Sequence, residues 1–119
     1  MPIHLKRAYD APALEDGVRI LVDRLWPRGV SKDRLQLDDW LKSVAPSDDL
    51  RKAFHQADLD WVAFRRAYLS ELTAHRETLR PLAERSRQQT ITLIYSASHD
   101  ERNNAVVLRQ YLRMLGAPE

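Results

Sequence analysis

The sequence predicts a single α/β domain spanning residues 1–119, arranged as three layers around a short sheet. Three observations carry this. Three short segments rich in aliphatic and β-branched residues, at 3–9, 18–25 and 90–96, read as strands. In the second, Val18, Ile20, Leu21 and Val22 are nearly uninterrupted, as expected of a central strand covered on both faces. The long stretch between the second and third carries helical periodicity, so those two strands are expected to run parallel.

A chain of 119 residues, 44% apolar and 30% charged, can bury a core without metals or disulfides. The absence of cysteine excludes a disulfide framework, a thiol nucleophile and a thiolate metal site. No charged start followed by an apolar run is present, so neither a signal peptide nor a membrane span is expected, and the cytoplasm is the default location. Nineteen Lys and Arg against seventeen Asp and Glu leave a net charge of +2, too small to name a partner. Arginine far outnumbers lysine. Arginine grips carboxylates and phosphates bidentately, although a GC-rich genome explains the bias as simply.

Ile3 to Tyr9 alternates, with Ile3, Leu5 and Arg7 on one side and His4, Lys6 and Ala8 on the other, the pattern of a strand with an exposed face or edge. Asp10 to Gly17 is a connection; its eight residues are few for a parallel crossover and would suit a wide hairpin. Strand two ends near Leu25, stopped by Pro27 and Gly29. Ser31 is placed to cap a helical turn at Lys32 to Leu35, and Asp38 leads a one-sided apolar stripe (Trp40, Leu41, Val44) that ends before Pro46. Ser47 is placed as a further N-cap, with Asp48 and Asp49 in the first turn of a brief helix ending near Phe54.

Asp58 or Asp60 opens the longest helix, whose Trp61, Phe64, Tyr68 and Leu72 recur at spacings of three and four. Leu79, Leu82 and Ala83 mark another helix, in which Pro81 fits only within the first turn. After the third strand, the last helix is expected to begin at a capping box, Ser98-His99-Asp100-Glu101, and to close at Gly116 and Pro118.

The run Asp23-Arg24-Leu25-Trp26-Pro27-Arg28-Gly29 resembles the YeaO-like branch of the DUF488 family. Arg7-Ala8-Tyr9-Asp10, Trp40-Leu41-Lys42, Ala45-Pro46-Ser47, Leu50-Arg51, Trp61-Val62-Ala63-Phe64 and Tyr95-Ser96-Ala97 extend the resemblance in order along nearly the whole chain. It implies a small Rossmann-like protein with mostly parallel strands, the first included, and no established activity. Wider relatives resemble one another in a Cys-His-Arg cluster near the start of the last helix, where Asn103, Asn104 and Ala105 stand here. The YeaO-like pattern commonly reads Asn-His-Ala there, so Asn104 replaces even the histidine. Ser98 or His99 stands where a lysine is often seen. These departures weigh against carrying over a catalytic role.

In an open parallel sheet, ligands bind outside the carboxyl ends of the strands. Those ends gather Tyr9, Arg24, Trp26, Arg28, Ser96, Asn103 and Asn104 as candidate ligand-binding residues. They suit a small anionic molecule bearing phosphate or carboxylate, held by Arg24 and Arg28. A purely structural reading stands beside this one: Arg24 pairs with Asp10 or Asp23 and holds the loop shut, and Trp26 belongs to the core. Arg28, in its Pro-Gly turn, is the plainer ligand contact. No catalytic residue is identified; Asp23 and His99 are the candidates, His4, His55 and His75 being placed elsewhere. Ser98 and Glu101 are expected to occupy the free donors of the last helix, which argues against an anion there. Scattered histidines, no cysteine and three ungrouped glycines match no metal or phosphate-loop pattern, so no cofactor or metal is expected.

The competing reading is a nucleic-acid or protein interaction module built on Arg65, Arg66, Arg76, Arg80, Arg85 and Arg87. Asp58, Asp60, Glu71, Glu77 and Glu84 are interleaved with these arginines, and no nucleic-acid recognition motif accompanies them.

Overall fold

A computed structural model describes residues 2–119. Four strands, β1 (Ile3–Arg7), β2 (Val18–Leu21), β3 (Asp39–Trp40) and β4 (Ile91–Tyr95), form one parallel sheet in the order β1-β4-β2-β3. The two apolar segments occupy the inner positions, where both faces need cover. Ile91 is level with Ile3 on one side and Val18 on the other. All five residues of β4 are buried, and Ile20 and Val22 of the second segment are 1% and 0% exposed.

The first strand is parallel, as the resemblance implied, and the hairpin is excluded because β4 lies between β1 and β2. Residues 8–17 make the return. At about 3.3 Å per extended residue, they have ample reach for a strand of this length. They close on a turn at Leu14–Asp16, where Gly17 adopts φ +63°. A side chain at Gly17 would run into the Thr90 carbonyl, so the position needs glycine for space as well as for backbone conformation.

Five helices complete the fold: α1 (Lys32–Leu35), α2 (Asp48–His55), α3 (Trp61–Thr73), α4 (Arg76–Arg85) and α5 (Asn104–Met114). Ser31, Ser47 and Asp60 cap α1, α2 and α3, each side chain accepting the backbone N–H three residues on. One face of the sheet packs Ile3, Ile20, Val22, Leu93 and Tyr95 against Phe64, Tyr68, Leu72, Leu108 and Leu112 of the long helices. The other face is thinly covered. Leu21 and Ile94 meet Val30, Leu35, Trp26 and Trp40, so α1 and its flanking loops make the third layer.

The same face turns polar toward the strand beginnings. Arg19 Nη1 reaches Asp16 Oδ2 at 2.6 Å, and its Nε and Nη2 donate to the Leu35 carbonyl. Lys6 Nζ lies 3.1 Å from Asp16, and Thr92 donates to the Asp16 carbonyl. The buried Asp16 carboxylate is thus held on several sides. Burial pushes its pKa up, but the Ala13 N–H and then the Lys6 and Arg19 side chains outweigh that and hold it below the ordinary carboxylate value.

Three expectations are corrected. The stripe at Trp40 to Val44 is no helix: Asp39 and Trp40 pair with Ile20 and Leu21 as β3, and a turn at Lys42–Val44 follows. Pro81 lies in the second turn of α4, on its exposed side, where water can satisfy the carbonyl it leaves unpaired. The last helix begins at Asn104 rather than His99, because Asn103 Oδ1 accepts the Val106 N–H and is the actual cap. Among the described residues, no helix is long and apolar enough to cross a membrane.

Candidate functional site

The strand ends converge on Asp23. The Val22 N–H makes the last rung to the Ile94 carbonyl, and Asp23 then turns its side chain toward the end of β4. Asp23 Oδ2 accepts both the Ser96 N–H at 2.9 Å and the Ser96 hydroxyl at 2.6 Å. Oδ1 accepts Asn104 Nδ2 at 3.0 Å, and the same amide nitrogen donates to the Val22 carbonyl. One carboxylate therefore ties β2, β4 and the start of α5 together.

Around this knot lies a cleft of about 400 Å3. Asp23, Arg24, Trp26 and Arg28 come to it from the loop after β2, Tyr9 from the end of β1, and Ser96, Asn103 and Asn104 from the far side. The structure thus brings together all the residues read as ligand-binding from the sequence. Their bonding differs from what the sequence suggested. Arg24 pairs with neither Asp10 nor Asp23: its Nε and Nη2 donate to the main-chain carbonyls of Pro46 and Ala45, at 2.9 and 3.1 Å. Trp26 is only partly buried. Its indole N–H donates to the Val30 carbonyl at 2.6 Å, its ring meets Trp40 edge to face at 5.6 Å, and it still lines the cleft. Arg28 is exposed on the cleft and takes no hydrogen-bond or ion-pair partner among the described residues.

The histidine assignments are reversed. His99 is not among the lining residues; its Nδ1 accepts the Glu101 and Arg102 N–H groups and folds the loop before α5. The expected capping by Ser98 and Glu101 is replaced by this loop and by Asn103, whose Nδ2 donates to the His99 carbonyl. His55, placed elsewhere from the sequence, lines the cleft. It arrives with Arg51 and Phe54 on α2, a wall that sequence reasoning missed. The only available signal was Leu50-Arg51 among the pieces that carry the family resemblance. Phe54 stacks on Phe64 of α3 with ring centres 4.2 Å apart, which presses α2 against the site. Arg51 Nη2 lies 3.4 Å from Asp48, while its Nε is buried without a partner among the described residues.

Arg7 was also missed. Its Nε and Nη2 donate to the Ala97 and Ser96 carbonyls, and its guanidinium lies over the Tyr9 ring at 5.1 Å. Below the cleft, Tyr68 is fully buried and donates to the Val44 carbonyl at 2.7 Å; burial, then the Glu71 and Asp23 charges, keep its hydroxyl protonated far above the ordinary range.

The result is a partly apolar hollow with three arginines and one carboxylate on its walls. Such an arrangement can hold an anion, and the two groups read from the sequence as catalytic candidates are both engaged. Asp23 already accepts three hydrogen bonds, and His99 Nδ1 is turned into its own loop. Among the described residues, no group of three or more His, Asp and Glu could hold a metal. The arginines of the competing reading lie elsewhere: Arg65 donates to Gln110, Arg85 to Gln89, and Arg80 sits 3.5 Å from Glu77.

Comparison with known proteins agrees with the resemblance read in the sequence. The chain is 49% identical over 115 residues to the uncharacterized protein YeaO of Escherichia coli (strain K12), covering 97% of this chain and 100% of that one. It is 37% identical over 112 residues to the uncharacterized proteins Mb3100c of Mycobacterium bovis and Rv3073c of Mycobacterium tuberculosis, covering 92% of each chain. No solved structure matches. The family described as the inactive DUF488-N3 subclade matches residues 2–116, and the chain belongs to it as a YeaO-like member.

Proposed function

We propose that this protein binds a small anion bearing a phosphate or carboxylate group in the cleft over the strand ends, and that it binds without turning the ligand over. One observation carries the reading: three arginines and one carboxylate line the cleft, that carboxylate already accepts three hydrogen bonds, and Arg28 has no partner among the described residues. A guanidinium with no partner among the described residues, beside a concave and partly apolar surface, is the arrangement that grips a carboxylate or phosphate through two oxygens. The bonding of Asp23 and His99 supports binding over catalysis, and so does the family's description as inactive.

The test is a thermal-shift screen of sugar phosphates, nucleotides and organic acids against the wild type and Arg28→Ala. A ligand at a hundred times its dissociation constant adds about 2.7 kcal/mol. With unfolding entropy near ~2.1 cal/mol/K per residue, that raises the midpoint by roughly 11 °C for a chain of this size. A shift lost in Arg28→Ala is the expected result. Silence across the panel, or shifts indifferent to Arg28, would refute the reading.

A further inference from the structure

We infer that the ligand carries its oxyanion on an apolar, ring-sized body rather than on a polyol. This deepens the anion-binding reading and rests on it.

The neutral hydrogen-bond donors in the depth of the cleft are already engaged. The Ser96 hydroxyl donates to Asp23, and Asn104 gives its amide hydrogens to Asp23 and the Val22 carbonyl. Asn103 is 1% exposed, with its oxygen on the Val106 N–H and its nitrogen on the His99 carbonyl. A sugar hydroxyl entering here would find these neutral donors already taken, the Ser96 hydroxyl and both Asn104 amide hydrogens included. Tyr9, Ser98 and His55, lining residues whose side chains take no hydrogen-bond partner among the described residues, lie at the exposed rim.

The apolar surface, by contrast, is open. Leu25 is 54% exposed and Tyr9 38%, and both line the cleft. Exposed large apolar side chains gathered in one hollow, and not scattered, mark a binding surface. Trp26 adds to it: with its N–H already given to Val30, the indole offers a ligand only hydrocarbon surface. Phe54, stacked on Phe64, is half-buried and supplies a second aromatic edge. Inside its polar rim, cationic groups and apolar walls are thus most of what the cleft offers. A volume of about 400 Å3 accommodates one ring with its acid group.

The experiment compares anions matched in charge and different in body: phenyl phosphate against glycerol 3-phosphate, and benzoate against glycerate. Affinities are read from the indole N–H signals of Trp26, Trp40 and Trp61 in nitrogen-15 NMR titrations. Burying a ring-sized apolar group is worth about 1.5–3 kcal/mol. The aromatic member of at least one pair should therefore bind roughly 10- to 150-fold tighter. The pair that shows the preference tells whether the acid group is phosphate or carboxylate. Leu25→Ser should reduce that preference severalfold, leave the polyol ligand unchanged and fold normally, Leu25 being exposed. Equal or tighter binding of the polyol members, with Arg28→Ala still weakening them, would overturn the inference and leave the anion reading standing. If no probe binds, or if binding ignores Arg28, both fall together.

Discussion

Asp23→Asn removes one charge and almost no volume, so it isolates what the carboxylate does at the crossing of β2, β4 and α5. The two Ser96 donors reach one carboxylate oxygen and the Asn104 amide reaches the other. An asparagine cannot serve both. With its oxygen toward Ser96, its amide faces the Asn104 amide; turned the other way, it faces the Ser96 N–H. Asn104 is not free to rotate in compensation, because the same nitrogen donates to the Val22 carbonyl at 3.0 Å. At least one charge-assisted bond is lost, worth about 1.5–3 kcal/mol, and the others weaken from ionic to neutral. The site is half-buried, so water recovers part of this, and a net loss of about 3 kcal/mol is expected. For a chain of this size that lowers the thermal midpoint by roughly 12 °C. Urea unfolding followed by far-UV circular dichroism measures it directly. Ser96→Ala in the same background should cost less than in the wild type, since two of the bonds share a partner. A loss below about 0.5 kcal/mol, in the range of an ordinary surface change, would refute this account of the strand ends.

Three further outcomes are expected. Arg24→Ala breaks two bonds to the Ala45 and Pro46 carbonyls and should destabilise by about 2–3 kcal/mol, whereas Arg28→Ala should stay within ~0.5 kcal/mol; parallel urea titrations read the contrast. Arg19→Met strands the buried Asp16 with only Lys6 and the Ala13 N–H and should cost about 3–5 kcal/mol, seen as a lower denaturation midpoint at unchanged slope. Asp16 has a folded pKa below its ordinary 3.8, so its contribution is full above about pH 4 and is lost as the pH falls through the folded value; Asp16→Asn should be less stable at neutral pH and should flatten the acid limb of a stability-pH curve.

What the sequence makes legible follows the range of the interaction involved. The inner strands are readable because a segment buried on both faces must be apolar throughout, and Val18 to Val22 and Ile91 to Tyr95 are nearly so. Ser31 and Ser47 are readable as caps, and Asp60 as one of two candidates with Asp58, because the acceptor and its donor lie three residues apart. The start of α5 misleads for the same reason: Ser98 to Glu101 has capping-box spacing, yet loop contacts through His99 and Asn103 prevail. β3 has only two residues and therefore no periodicity to read.

The site divides similarly. Residues at strand ends follow from topology alone, which brings Tyr9, Arg24 and Asn104 to one cleft. The α2 wall does not, because it depends on Phe54 meeting Phe64, a contact between helices that no local pattern encodes. Nor could the sequence say which main-chain carbonyls Arg24 holds, since every residue offers one.

The central claim is that the cleft holds an oxyanion through Arg28, and isothermal titration of the strongest ligand from the thermal screen into wild type and Arg28→Ala tests it most directly. Loss of one charge-assisted contact of about 1.5–3 kcal/mol predicts roughly 10- to 150-fold weaker binding to a variant of unchanged stability. Equal affinity for the two proteins would contradict it.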